Sequence, residues 1–391
     1  MSKKKHLVKH AAKALVLPAR SHDAITLSGT AAGFGWLAWG GLAWLGERVP
    51  IGHEALPTLG LGSLVFVLML GCVMGVVRHA DHLAEMLREP YGTLVLTLSA
   101  TVIEVSLMLR VMLQGNENPT LLRDTMFAVL MITMNAMVGL ALTAGGWLHV
   151  EQFFNLRGAT AFVQLIAPLS LLLLVMPNYT TSSAGPTLAP MQEVYLGGLC
   201  VVVYLLFLLI QTGRHRSYFD HIETAGAPAP AQPHQPKHLD WRVPLRSVAG
   251  LVLALLPMVL LSEYLGEAIN YGIDEFDLPV ALGGLLIASL GLIPEIIGTL
   301  RAAWANHIQR SVNICLGSAL STIGLTVPSV MIVAAYFGMD LTLGVSTVNA
   351  TLLLATLLVI MLTFFSGGAS ILQGIVHLTL FLGYLIFIFF P

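Results

Sequence analysis

Two glutamates stand apart from the other acidic residues of this 391-residue chain, of which there are 21. Glu104 falls in the middle of the apolar run 92–113 and Glu295 in the middle of 278–300, while the others sit in polar loops or near the ends of such runs. A charge at the centre of a bilayer-spanning helix costs at least about 2.5–3.5 kcal/mol on insertion scales, so a carboxyl kept there is a functional hypothesis by default. The bland alternative is a structural carboxyl, protonated or paired with a basic side chain. No lysine or arginine lies deep enough in these runs to neutralise either one.

Paired carboxylates suit hard cations. Calcium takes six to eight oxygen ligands at about 2.3–2.6 Å from carboxylates, carbonyls, amides and waters. Glu104 and Glu295 as metal ligands would match its charge, and Pro294 removes a helical hydrogen bond and frees backbone carbonyls beside Glu295. Candidate neutral ligands are Ser99, Asn135, Ser289, Asn313, Ser318, Ser321 and Thr322. Each of these types also serves as ordinary hydrogen-bonding glue between membrane helices. The same two carboxyls can carry protons. Held together out of water and empty, they resist ionising, so cation and protons compete for one site, which is the simplest form of coupled antiport. His377, the one histidine inside a predicted span, is a candidate proton-handling residue, with a hydrogen-bonded structural role as the alternative. No catalytic residues are expected, because the spans hold no nucleophile–base pair or metal triad, and the chain does not read as an enzyme.

These side chains need elements to hold them inside a membrane. The chain is 56% hydrophobic and 10% charged, where a soluble domain carries about 25% charged residues. Runs of roughly twenty apolar residues are long enough to cross the bilayer. They fall at about 29–46, 57–77, 92–113, 124–145, 159–177, 191–212, 244–264, 278–300, 311–336, 341–364 and 370–390. Continuous runs of this length predict helices rather than the alternating ten-residue strands of a barrel. With the N-terminus inside, 16 of the 19 basic residues are cytoplasmic and only Arg48, Arg110 and Arg123 are not. That asymmetry predicts a multi-pass membrane protein with its N-terminus cytoplasmic and its C-terminus on the opposite side. Residues 78–90 read as a short amphipathic helix on the cytoplasmic face, ending at Pro90. Residues 1–28 lack the short apolar core and cleavage site of a signal peptide. Cys72, Cys200 and Cys315 lie in apolar runs and read as small buried hydrophobes.

The chain also repeats itself. Arg110 follows Glu104 by six residues, and Arg301 follows Glu295 by six. Arg123 matches Arg310, and Asn135 matches Thr322, both at an offset of 187. The expected organisation is a basic N-terminus (1–28), a first span and periplasmic loop (29–56), a first repeat (57–212), a Pro/Ala/His-rich cytoplasmic linker (213–243) and a second repeat (244–391). His215, His221, His234 and His238 in that linker read as solvated. Five spans is an odd number, so the second repeat inserts upside down, an inverted-repeat plan with its site at the midplane. No nucleotide-binding loop and no nucleic-acid motif occurs, so neither is an expected partner and transport would draw on an ion gradient. A cation channel is the remoter reading, since channels assemble filters from several subunits. An oligomer is compatible with the pattern, its order unspecified.

Val77-Arg78-His79-Ala80-Asp81, Glu89-Pro90-Tyr91-Gly92, Glu104-Val105-Ser106-Leu107, Pro119-Thr120-Leu121, Arg123-Asp124, Pro294-Glu295 and Leu325-Thr326-Val327-Pro328 resemble the bacterial Cha-type cation/proton antiporters. Gly317-Ser318-Ala319-Leu320-Ser321 is similar to the second-repeat signature of the wider calcium/cation antiporter superfamily. The resemblance, from about residue 57 onward, implies an all-α fold of eleven spans, one N-terminal helix plus two inverted five-helix repeats. It also implies calcium/proton exchange, with sodium or potassium as alternative ions, no bound cofactor, and ion-binding acids at Glu104 and Glu295. The chain departs from the superfamily in placing Thr101-Val102-Ile103 and Leu292-Ile293-Pro294, with no asparagine, before the two glutamates.

Overall fold

Apolar runs cut off from water must satisfy their backbone internally, and helices do so segment by segment. The structure, a computed structural model, describes residues 21–45, 54–87, 91–113, 118–219 and 242–391. They form eleven helical rods. α1 is Ser21–Leu45, α2 Ala55–Leu87, α3 Tyr91–Met112 and α4 Leu121–His149, followed by α5 Leu156–Leu174 and α6 Pro190–Thr212. After the linker come α7 Arg242–Glu275, α8 Ala281–Trp304, α9 Ile308–Phe337, α10 Thr347–Phe365 and α11 Ile371–Phe389. Among the described residues, 9 helices are long and apolar enough to cross a membrane. The rods fall into two sets of five in the same order, α2–α6 and α7–α11. α4 and α9 hold corresponding places, and each opens into a π-turn at its centre, Ile132–Met137 in one and Thr322–Thr326 in the other. Such turns insert an extra residue into a helix and occur often at functional sites.

Small residues let the repeats meet. α2 and α7 pack antiparallel with a glycine at each end of the contact. A Cβ on Gly62 would lie 2.5 Å from that of Ala268, and Gly250 has the His79 ring over its face. α8 lies on α4 at Gly284, where a Cβ would come within 2.7 Å of the Asp124–Thr125 backbone. α1 leans on α2 and α7 through Gly35, packed against Cys72 and Pro257.

Two straps fasten the repeats at opposite ends. On the linker face, residues 150–155 of the first repeat form the two-residue strand β1 (Gln152–Phe153), which pairs with β2 (Gly368–Ala369) of the second. Gln152 donates there to the Ala303 carbonyl at 3.1 Å and to Asn306 at 2.9 Å. On the opposite face, residues 340–346 of the second repeat lie across the first. Thr342 donates to the Pro119 carbonyl, Gly344 to Pro186 and Val345 to Leu174, at 2.8–2.9 Å.

The rods depart from the apolar runs in three places. Residues 78–87 are not a separate surface helix but the last turns of α2, because nothing between Gly75 and Leu87 interrupts the backbone ladder. This also puts His79 in a predicted membrane rod, so His377 is not the one histidine there. The tenth span starts at Thr347 rather than near 341, since residues 340–346 are the extended strap and Ser346 caps the helix. α7 runs eleven residues beyond the apolar stretch ending near 264, which places Glu263 inside a rod and not at its end. The linker segment 220–241, with His221, His234 and His238, and the basic residues 1–20 lie outside the described residues.

Candidate functional site

α3 and α8 occupy matching places in the two repeats, and each carries one of the singled-out glutamates. Glu104 is 9% exposed. It lies against α8 at Gly291, where an added Cβ would stand 3.5 Å from Glu104 Cγ, one helical turn before Glu295. Glu104 of the first repeat thus packs against the turn of α8 that leads into Glu295 of the second. α9 supplies hydroxyls to both. Thr322 donates to the two Glu104 oxygens at 3.2 and 3.0 Å, and Thr326 donates to Oε2 at 2.6 Å. Ser318 donates to Glu295 Oε2 at 2.6 Å. The spacing of 318, 322 and 326 puts one residue per turn on a single face of α9, and the π-turn between them orients that face.

The two carboxyls differ in access. A cavity of about 510 Å³ opens from the linker face and reaches Glu295, with Ser99, Asn313, Ser318 and Ser321 in its wall. Glu104 does not line it. A second cavity of about 790 Å³ indents the opposite face, lined by Asn118, Arg123, Asp124, Asp274 and Asn349, and touches neither glutamate. Asp124, whose backbone meets Gly284 of α8, lines this second cavity.

The candidate neutral ligands therefore separate. Thr322 and Ser318 bond the glutamates directly. Ser99 and Ser321 line the cavity, with the Ser321 hydroxyl donating to the Ser318 carbonyl at 2.9 Å. Asn313 lines it too, but its amide donates to the Phe219 carbonyl and accepts from Gln309. Ser289 is on α8, about a turn and a half before Glu295, outside the cavity wall. Asn135 is turned away from both glutamates: it donates to Thr356 Oγ1 at 2.8 Å and meets His377 Nδ1 at 3.2 Å. Sequence reasoning missed Thr326, although its i, i+4 spacing from Thr322 was the available signal. It also missed the partner of Arg110, which is ion-paired with Glu263 of α7 rather than with a glutamate of the site. Among the described residues no group of three or more His, Cys, Asp or Glu gathers as a metal site. The donor set is two carboxylates with hydroxyls, the oxygen chemistry of a hard cation rather than of zinc or copper.

Two five-helix repeats that bring one carboxyl each to a shared interior site define a secondary cation transporter. The chain belongs to the sodium/calcium exchanger protein family, a family of multi-pass membrane antiporters, and matches its model over residues 58–213 and 246–390. It is 39% identical over 320 residues to the protein y4hA of Sinorhizobium fredii, covering 82% of this chain and 86% of that one. It is 33% identical over 345 residues to the sodium-potassium/proton antiporter ChaA of Escherichia coli, covering 86% and 91%. Its fold matches native YfkE with a TM-score of 0.69 at 15% identity, over 91% of this chain and 100% of that one. It matches the H+/Ca2+ exchanger CAX with a TM-score of 0.68 at 12% identity, over 94% and 89%.

Proposed function

We propose that this chain is a carrier, not an enzyme, that exports calcium across a bacterial inner membrane in exchange for protons. The observation that carries the reading is the pairing of Glu104 and Glu295, one from each repeat, bonded to hydroxyls and, among the described residues, to no basic side chain. Two carboxylates balance one divalent ion, and the hydroxyls of Ser318, Thr322 and Thr326 can turn from donating to a carboxylate to ligating a cation. When the ion leaves, protons replace it, because two bare carboxylates side by side in low dielectric repel each other. The cation and the protons thus use one site in turn. One fold neighbour, CAX, is an H+/Ca2+ exchanger.

A second reading, exchange of sodium or potassium for protons, is favoured by the 33% identity to the sodium-potassium/proton antiporter of Escherichia coli. One proton and one monovalent ion can share two carboxylates. The expected sidedness is a cytoplasmic linker face, following the basic residues.

The deciding experiment reconstitutes the purified protein in proteoliposomes, imposes a pH gradient, and follows calcium, sodium and potassium in parallel. Calcium flux that collapses with the gradient, and falls to background in Glu104→Gln and in Glu295→Gln, is the expected result. Full calcium uptake by either variant would overturn the two-glutamate site. Gradient-driven flux of sodium or potassium without calcium would establish the second reading, and flux indifferent to the gradient would point to a channel.

A further inference from the structure

Behind the site lies a chain of buried polar groups that the two-glutamate exchange does not use. Asn135, Thr356 and His377 have 0% exposure and Thr363 has 2%. His377 of α11 stands between α4 and α10, its Nδ1 3.2 Å from Asn135 Oδ1 and its Nε2 3.0 Å from Thr363 Oγ1. Asn135 Nδ2 donates to Thr356 Oγ1 at 2.8 Å. An amide oxygen can only accept, so Nδ1 carries the ring proton, and Nε2 is left to accept from the Thr363 hydroxyl. A neutral imidazole in one tautomer satisfies every group in the chain. Among the described residues these side-chain bonds end at Met131, Thr356 and Thr363 and reach neither Glu104 nor Glu295, and His377 lines neither cavity.

The repeat symmetry shows what this clamp does. Asn135 matches Thr322, and both lie in π-turns of corresponding helices. Thr322 is turned onto Glu104. Asn135 instead bonds Thr356 of α10 and His377 of α11. The extra residue of a π-turn shifts the following helix by about 100° relative to an unbroken one. The Ile132–Met137 turn packs against α8 and α9, which carry Glu295, Ser318 and Thr322. Whatever holds that turn in register therefore holds one wall of the cation site.

We propose that His377 is a positioning residue for the cation site: by clamping Asn135 it keeps the first-repeat π-turn in register against α8 and α9, and it does not carry the transported proton. The proposal rests on the two-glutamate reading for its site, but its test does not require transport. Calcium binding to the detergent-solubilised full chain, followed by calorimetry over a pH series, reads the site directly, and proteoliposome flux then reads apparent KM. If antiport fails while calcium binding persists, the antiport reading falls and the calorimetric arm still decides the role of His377.

Four variants are compared. His377→Asn keeps an N–H donor near the Nδ1 position and removes the titratable ring. His377→Phe fills the volume and makes no bond. Asn135→Ala removes the clamped group, and the double variant His377→Phe with Asn135→Ala closes the cycle. The expected result is a loss of calcium affinity of about tenfold or more in His377→Phe, in line with a lost buried hydrogen bond. His377→Asn stays within about threefold of the parent with its pH midpoint unmoved. The double variant is no worse than the weaker single, as a shared clamp requires. His377→Asn as damaged as His377→Phe, a displaced pH midpoint in His377→Asn, or additive losses in the double variant would each overturn the proposal. Should His377→Phe not fold, judged by monodispersity and thermal unfolding, His377→Asn and Asn135→Ala still separate clamp from proton carrier by the pH midpoint of the first and the affinity of the second.

Discussion

Thr322 of the second repeat donates to Glu104 of the first at 3.0 Å, across 218 residues of sequence. The repeats are therefore not merely packed together: a hydroxyl from one completes the carboxylate of the other. Glu104 is closed off under two threonines, while Glu295 looks into a cavity of about 510 Å³ on the linker face. A cation entering from that side meets Glu295 first and reaches Glu104 only as its threonine bonds give way. This one-sided access within a two-fold sequence pattern is what an alternating-access carrier presents when open to one face.

The threonine that sequence reasoning missed supplies the sharpest single-residue test. Thr326→Val keeps the side-chain shape and removes the 2.6 Å bond to Glu104. The bond opens when a cation arrives, so what the bound state loses is an oxygen ligand, and apparent cation affinity should fall roughly tenfold, about 1.4 kcal/mol, with Thr326→Ser recovering most of it. Flux against cation concentration checks this, and an unchanged KM in Thr326→Val would remove the hydroxyl from the site.

Access can be read with a thiol reagent that does not cross membranes. The three native cysteines are buried. A cysteine at Asn313, in the cavity wall, should react from the linker face and block transport, with saturating cation slowing the reaction. A cysteine at Asn349, in the cavity of the opposite face, should react from that side instead. Equal labelling of Asn313→Cys from both faces would contradict a one-sided cavity.

The ion pair between Arg110 of α3 and Glu263 of α7 is a second intramembrane charge feature. Their side chains are 38% and 41% exposed, so the pair itself contributes modestly, on the order of 1 kcal/mol or less. Removing the opposite charge from a charged side chain in the bilayer costs more. Arg110→Leu or Glu263→Leu should each lower the midpoint of thermal unfolding by several degrees, and the double variant should lose less than either. A double variant as unstable as the sum of the singles would show that the two charges act independently.

Gly284 is required by close approach rather than by backbone conformation. A methyl there would stand 2.7 Å from the Asp124 carbonyl carbon and the Thr125 nitrogen, atoms of a helix backbone that cannot swing aside. Gly284→Ala should force α8 from α4, cost about 1–3 kcal/mol of stability, and depress flux by moving α8, which carries Glu295. A thermal-unfolding midpoint and flux equal to the parent would show that the contact relaxes freely.

Hydropathy alone determined that the chain crosses a membrane many times, because apolar run length is set by bilayer thickness and needs no tertiary partner. Glu104 and Glu295 were legible for the same reason: a carboxyl is conspicuous wherever everything around it is apolar. Helix ends were less so. α2 and α7 continue past their apolar runs, as a backbone ladder persists in polar sequence until something breaks it, and that extension carried Glu263 into a rod.

Only the tertiary structure decided which neutral groups meet the carboxyls. Asn135 and Thr322 sit at matched positions and looked equivalent, yet one is clamped by His377 and the other faces Glu104. Thr326 and Ser318 became partners of the glutamates through the rotation of α9 about its π-turn. Spacing along one helix tells which residues share a face. Which face meets which neighbour depends on packing between segments some two hundred residues apart, and no local pattern records that angle.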